Sequence, residues 1–451
     1  MVPFEWRQSE SRHLLTMAEP GRTPDPRWIQ LQALASRGEV LQAEVLGRQL
    51  VRDHPDFVPA LGLLAELAAQ RNDLDTALAW IERAIHLAPE DPELRTALAE
   101  VQAANGQLPA ARVTLDALLK ERPSHLVAWL LLADACAASG DEMAALRARY
   151  QGVTRAHKAG RWLGPETTEP HLVDLVKHHV AHLRQARRDV LHAAIAPVRR
   201  RHGERSILRI ERALAGYLGE ADATPPDPRQ RPKFLFIPDL PPGPYHDPWL
   251  QPWAATLRDA WREIRDEALG LLTEDRDFES FLGLKPGERA PEYVGGTNPA
   301  ASWDAFFFYR HGRRFDDHHL RCPRTSALLE SIDLCRIEHQ APEVCFSLIR
   351  PQSTIMPHYG VTNARLVFHL PLLVPPDCAL NVIDGGSHHW REGEPMLFDD
   401  TFQHEAWNRS DKPRLILLMD CWNPHLTPAE REAVKHLVEA IDDIEQPSPR
   451  A

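Results

Sequence analysis

Apolar and polar positions follow a helical rhythm in the first half of the chain and a strand rhythm in the second. From residue 24 to about 150, Ala- and Leu-rich blocks repeat with a period of 34: Pro55, Pro89 and Pro123 keep that step. Gly38, Asn72, Gly106 and Gly140 keep it as well, as do Ala43, Ala77, Ala111 and Ala145. Gly or Asn allows the left-handed turn between two antiparallel helices, the alanines suit close helix contact, and each proline follows a helix where a missing N–H costs little. The pattern predicts units at 24–57, 58–91, 92–125 and a degenerate 126–150, after a polar tail over 1–23. Helical spacing returns from about 165 to 218, with Leu172, Leu175, Val176, His179, Val180 and Leu183 on one stripe. It forms a helical bridge over 151–220, and the proline-rich 221–233 reads as a linker.

After Phe234, short β-branched and aromatic runs are punctuated by Gly, Pro, Asp and Asn. Strands are expected at Phe306–Tyr309, Val344–Arg350, Arg365–Leu370, Leu380–Ile383, Pro395–Asp399, Gln403–Asn408 and Arg414–Cys421. Helices are expected at Trp249–Leu272 and Thr427–Ile444, the second opened by Thr427 as cap and Pro428 in the first turn. Seven or eight short strands suggest a β-sandwich or jelly roll. Alternation puts Arg365 and His369 on one face of their strand, with Leu366, Phe368 and Leu370 on the other. A hairpin centred near Arg409 would set His404 opposite Arg414.

Composition narrows the class. There are 64 acidic and 52 basic residues, a net charge of -12, which disfavours a dominant nucleic-acid interface. Six cysteines without zinc-like spacing suit free thiols in a reducing compartment. Residues 1–20 lack an apolar core of signal-peptide type, and no apolar run approaches the length of a membrane helix, so the expectation is a cytoplasmic protein with no membrane partner. Other histidine clusters look less promising. His178, His179 and His182 read as a solvated helix face, Asp316–His319 as an exposed loop, and His388-His389 as rim.

The 34-residue period resembles the tetratricopeptide repeat, whose arrays present a groove to a peptide or protein partner. Downstream, four stretches resemble the aspartyl/asparaginyl β-hydroxylase family of iron- and 2-oxoglutarate-dependent oxygenases. They are Pro357–Leu366, Trp390–Glu394, Phe398–Asn408 and Arg414–Ile416. The resemblance covers about 235–430 within an expected domain of 234–445, and implies a double-stranded β-helix (jelly-roll, cupin-like) fold behind an all-α repeat solenoid. It implies that His358 and His404 bind Fe(II), that Arg414 with Ser347 holds the far carboxylate of 2-oxoglutarate, and that His369 meets its other end. Arg365 would meet a carboxyl-bearing substrate, and Asp400 would act beside the metal. Gly360 stands where most enzymes of this chemistry keep a third, carboxylate ligand, and Val367 replaces a basic residue of the animal enzyme. The implied reaction consumes O2 and 2-oxoglutarate and hydroxylates the β-carbon of Asp or Asn in a peptide or protein recruited by the repeat groove. Hydroxylation of a lipid acyl chain or a free amino acid is the alternative within enzymes, and a non-catalytic repeat scaffold the alternative outside them.

Overall fold

The computed structural model describes residues 25–446 apart from 275–277, 286, 287, 289 and 297–300. The tail expected over 1–23 lies outside the described residues. The chain divides into two compact units, Met1–Asp189 with Asp442–Ala451, and Val190–Ile441.

The first unit holds four helix pairs: α1 (Pro26–Ser36) with α2 (Val40–Asp53), α3 (Val58–Gln70) with α4 (Leu74–Leu87), α5 (Pro92–Ala104) with α6 (Leu108–Glu121), and α7 (Leu126–Ala138) with α8 (Glu142–Lys158). The periodic residues do the work their chemistry suggested. Gly38, Asn72, Gly106 and Gly140 all have φ between 61° and 78°, the left-handed region that turns one helix into the next. Ala43, Ala77, Ala111 and Ala145 are fully buried between helices. The fourth pair runs to Lys158, longer than the expected 126–150.

Next come α9 (Val173–His202) and α10 (Leu208–Tyr217), and the chain passes from one unit to the other inside α9. On α9, His179 is not on a solvated face. It is fully buried, with Nε2 3.4 Å from Asp134. The Arg-rich end of α9 and the start of α10 pair with acids of the C-terminal helix, Arg201 with Glu432 and Arg209 with Glu430.

The second unit is a sandwich of two antiparallel sheets. Its strands are β1 (Tyr245–His246), β2 (Glu279–Ser280), β3 (Val294–Gly296), β4 (Trp303–Arg310), β5 (Arg313–Arg314), β6 (Val344–Ile349), β7 (Ser353–His358), β8 (Arg365–Leu373), β9 (Cys378–Val382), β10 (Gly386–His388), β11 (Met396–Phe398), β12 (His404–Asn408) and β13 (Arg414–Trp422). The larger sheet runs β1-β11-β8-β13-β6-β4-β2, with β5 on β4, and the smaller runs β10-β9-β12-β7-β3. Helices α11 (Ala254–Asp259), α12 (Trp261–Glu274), α13 (Asp316–Arg321), α14 (Pro323–Glu330) and α15 (Pro428–Glu445) as far as Ile441 complete it. Leu366, Phe368 and Leu370 of β8, with Leu415, Leu417 and Met419 of β13, pack under Leu257, Ile264 and Leu329 of α11, α12 and α14. The other face of that sheet looks toward the smaller sheet.

Three further expectations need correction. The single helix over 249–272 is broken at Ala260 into α11 and α12. Asp316–His319 is not a loop but most of α13, where His319 is buried against the Ser326 hydroxyl and His318 stacks on Phe306. Strands β12 and β13 do not form a hairpin. The first pairs with β7 and β9, the second with β6 and β8, so the 409–413 turn carries the chain from one sheet to the other. Asn408 fixes that crossing by donating to Ile349 O and Lys412 O at 3.0 and 2.7 Å.

Candidate active site

Strand alternation builds the site. Arg365, Val367 and His369 of β8, and Arg414, Ile416, Leu418 and Asp420 of β13, are the positions left facing inward once their neighbours have joined the core. Together with His358, Leu380, His404 and Ala406 of the smaller sheet they line a cavity of about 210 Å³. Ser347 and Asp400 line it too, so all seven residues singled out in the sequence border one space.

His358 and His404 are direct cross-strand partners, and their ring centroids are 4.2 Å apart. Each ring is held in the same way, its Nδ1 bonded to the carbonyl two residues back: Met356 O at 2.8 Å and Phe402 O at 2.9 Å. A carbonyl only accepts, so Nδ1 carries the proton and the Nε2 lone pair remains for a metal. Burial lowers both pKa values. For His404, burial and then the neighbouring His358 bring it down to about 3. Both rings are neutral at pH 7, the form that ligates.

The space beside them is filled by Asp400. A Cβ at Gly360 would lie 2.1 Å from the Asp400 carboxyl carbon, and the Gly360 N–H donates to Asp400 O at 2.6 Å. The Asp400 Oδ1 is buried with no hydrogen-bond partner. Burial, partly offset by Arg365, pushes this carboxyl up to about 7. Among the described residues, no group of three or more His, Cys, Asp or Glu side chains gathers into a metal cage. A two-histidine set with a carboxyl group close by is therefore what this site offers a metal.

At another part of the wall, Arg414 is 1% exposed, lies 4.8 Å over the Trp390 ring, and reaches Ser347 O at 3.4 Å. Its Nε has no partner, and among the described residues no carboxylate forms an ion pair with it. Burial pulls its pKa down to about 9. A buried cation without a counterion is costly, and an entering carboxylate relieves that cost. The Ser347 hydroxyl accepts from Trp303 Nε1 at 2.9 Å, which leaves its own proton to donate. Both nitrogens of buried His369 lack partners, and burial, then Arg414, holds this ring well below the usual range.

Arg365 is not a free cation. Its Nη1 donates to Asp420 Oδ2, which also accepts from the Glu343 N–H at 3.0 Å. Burial, then Asp420, raises the Glu343 carboxyl to about 7. Sequence reasoning missed Asp420, Glu343 and Trp303. Asp420 was within reach, because it shares the even-numbered face of β13 with Arg414. His388-His389 lies apart from the cavity wall, with His388 beside Tyr245.

Residues 258–424 match the profile of the aspartyl/asparaginyl beta-hydroxylase family, and 34–101 and 68–135 match that of the tetratricopeptide repeat. The chain is 31% identical over 210 residues to human aspartate beta-hydroxylase domain-containing protein 2, covering 46% of this chain and 54% of that one. It is 31% identical over 182 residues to human aspartyl/asparaginyl beta-hydroxylase, covering 40% and 22%. It is 30% identical over 188 residues to the ornithine lipid ester-linked acyl 2-hydroxylase of Rhizobium tropici, covering 41% and 63%. The chain thus spans about half the length of the first of these relatives and under two thirds of the others.

Proposed function

We propose that this chain, a tetratricopeptide-repeat array joined to a domain of the aspartyl/asparaginyl β-hydroxylase family, is an Fe(II)- and 2-oxoglutarate-dependent dioxygenase. Its preferred reaction is hydroxylation of the β-carbon of Asp or Asn in a peptide or protein. One observation carries the reading: two neutral imidazoles, each held through Nδ1, share a small cavity with a buried arginine that, among the described residues, has no acid to pair with. That combination suits a metal and a dicarboxylate held side by side.

His358 and His404 would hold the iron. Iron held there would, with 2-oxoglutarate and O2, supply the oxidising power for placing one oxygen atom in a C–H bond, with succinate and CO2 as co-products. The chain's own residues orient and exclude. Arg414 grips the far carboxylate of the co-substrate, the Ser347 hydroxyl adds a donor, and Trp303 fixes that hydroxyl. His369 donates to the near end of the co-substrate, where Val367 adds no charge. Arg365, steadied by Asp420, turns its remaining N–H groups to a carboxyl or amide of the substrate. Asp400 holds a proton or a water beside the metal. Ile355, Leu380 and Leu418 keep bulk water out.

The repeats would recruit the peptide or protein. No helix among the described residues is long and apolar enough to cross a membrane. A second reading, acyl-chain hydroxylation, draws on the apolar centre of the cavity (Val367, Leu380, Leu418) and on the acyl 2-hydroxylase relative. To decide, the protein is incubated with Fe(II), 2-oxoglutarate and either Asp/Asn-containing peptides or acylated amino-acid lipids. The expected outcome is gain of one oxygen on Asp or Asn, matched by succinate and absent in His404→Ala. Oxygen on the lipid alone would move the assignment to the second reading, and oxygen on neither would leave the scaffold.

A further inference from the structure

The two candidate ligands sit at the weak end of their own ladder. Strand β7 stops at His358, and Pro357 just before it has no N–H to give. The register with β12 also slips there: His404 faces His358, but Ala406 faces Ile355, so three steps on one strand answer two on the other. A bulge of this kind leaves pairing locally incomplete. Strand pairing alone is a poor clamp for two side chains that must keep a fixed separation.

The end of the proline-rich stretch that the sequence presented as a linker, with the four residues after it, supplies the missing restraint. Gln230 is 4% exposed, and its amide donates to Asp399 Oδ2 at 2.8 Å and to Thr401 Oγ1 at 3.1 Å, on either side of Asp400. The Arg231 N–H bonds Thr401 O at 2.8 Å. Two residues on, the Lys233 N–H bonds Gly360 O at 3.1 Å, and the Phe234 and Leu235 N–H groups bond Val361 O at 2.9 and 3.1 Å. Asn363 closes the run by donating to Ile237 O and accepting from the Ile237 N–H, at 2.9 and 2.7 Å. Residues 230–237 thus bridge the turn that leads into His404 and the loop that follows His358.

We infer that residues 230–237 are a brace that sets the separation of His358 and His404, with Gln230 as its positioning residue. The inference goes beyond the proposed function but rests on its metal pair, so one of its two tests needs no metal. Gln230→Met keeps the length and bulk of the side chain and removes the donors. Gln230→Glu turns a donor into an acceptor facing a buried carboxyl. Gln230→Lys restores donors to both partners.

In metal-free protein, hydrogen exchange at the amides of Arg231, Gly360 and residues 401–404 should speed up in the Met and Glu variants and return toward wild type in Lys. The β8 amides should not change. In anaerobic titration at a temperature where every variant is folded, the Fe(II) dissociation constant should rise about tenfold or more in Met, further in Glu, and recover in Lys. The 2-oxoglutarate dependence at saturating iron should stay put, since Arg414 is untouched. Lower melting temperatures with unchanged local exchange and unchanged iron affinity would reduce Gln230 to a packing residue and overturn the brace. If wild type binds no iron, unchanged local exchange still overturns the brace. Altered exchange in that case keeps the brace and removes the proposed function.

Discussion

A methyl group added at position 360 would sit 2.1 Å from the Asp400 carboxyl carbon, closer than any side chain tolerates. Gly360 and Asp400 therefore share one space, and the two are coupled. Gly360→Ala should destabilise the domain and weaken iron binding, while the double variant with Asp400→Gly should recover part of the lost stability. The expected interaction energy is about 1–3 kcal/mol in a double-mutant cycle followed by urea denaturation. Gly360→Asp, which adds a carboxylate near the histidines, should do worse than Gly360→Ala for the same steric reason. Additive single variants would contradict the shared space. Glu343 offers a second residue-scale test, through pH. Burial and Asp420 raise its carboxyl from 4.5 to about 7, so the folded state holds this proton more tightly than the unfolded chain. Its contribution is fully present below pH 4.5 and is lost as pH rises toward 7. Glu343→Gln removes that loss. The variant's stability relative to wild type should climb between those values and then level, by a total on the order of 3 kcal/mol. Parallel stability curves would show that Glu343 keeps an ordinary pKa.

At the scale of elements, the repeat was legible because each of its signals has a single physical cause. Gly140 has φ 78° with nothing within 4 Å of an added Cβ, so Gly140→Ala tests the turn conformation alone. A loss of about 1 kcal/mol is expected in urea unfolding, and a smaller one for Asn, which Asn72 already accommodates at φ 61°. No loss in either variant would mean that the α7–α8 turn does not depend on the left-handed residue. The inward face of β8 was equally legible, because alternation sorts charged from apolar side chains without knowledge of partners, and the same rule carried to β13 would have reached Asp420. Strand β7 was not. Ser353–His358 is short, contains a proline and buries little of its outer half, so neither period nor composition marks it, although it carries His358. The supposed β12–β13 hairpin failed because a turn-rich stretch of five residues fits a hairpin and a sheet-to-sheet crossing equally well. Which one forms depends on strands far away in sequence. The brace over 230–237 was invisible for the same reason: its partners lie more than a hundred residues downstream.

At the scale of the whole molecule, the chain joins a repeat solenoid to a sandwich whose inner cavity is lined by the seven residues to which the family resemblance gave roles. All six cysteines are buried free thiols, so neither part leans on a disulfide. The central claim is that the two histidines and the lone arginine make one site for iron and 2-oxoglutarate. The most direct test is an anaerobic titration of the intact protein with Fe(II) and 2-oxoglutarate, followed through the visible charge-transfer band. The band should saturate in wild type, vanish in His404→Ala, and require at least about tenfold more 2-oxoglutarate in Arg414→Ala, the loss of a charge-assisted hydrogen-bonded pair. A wild-type protein that forms no band, or an Arg414→Ala variant that titrates like wild type, would contradict it.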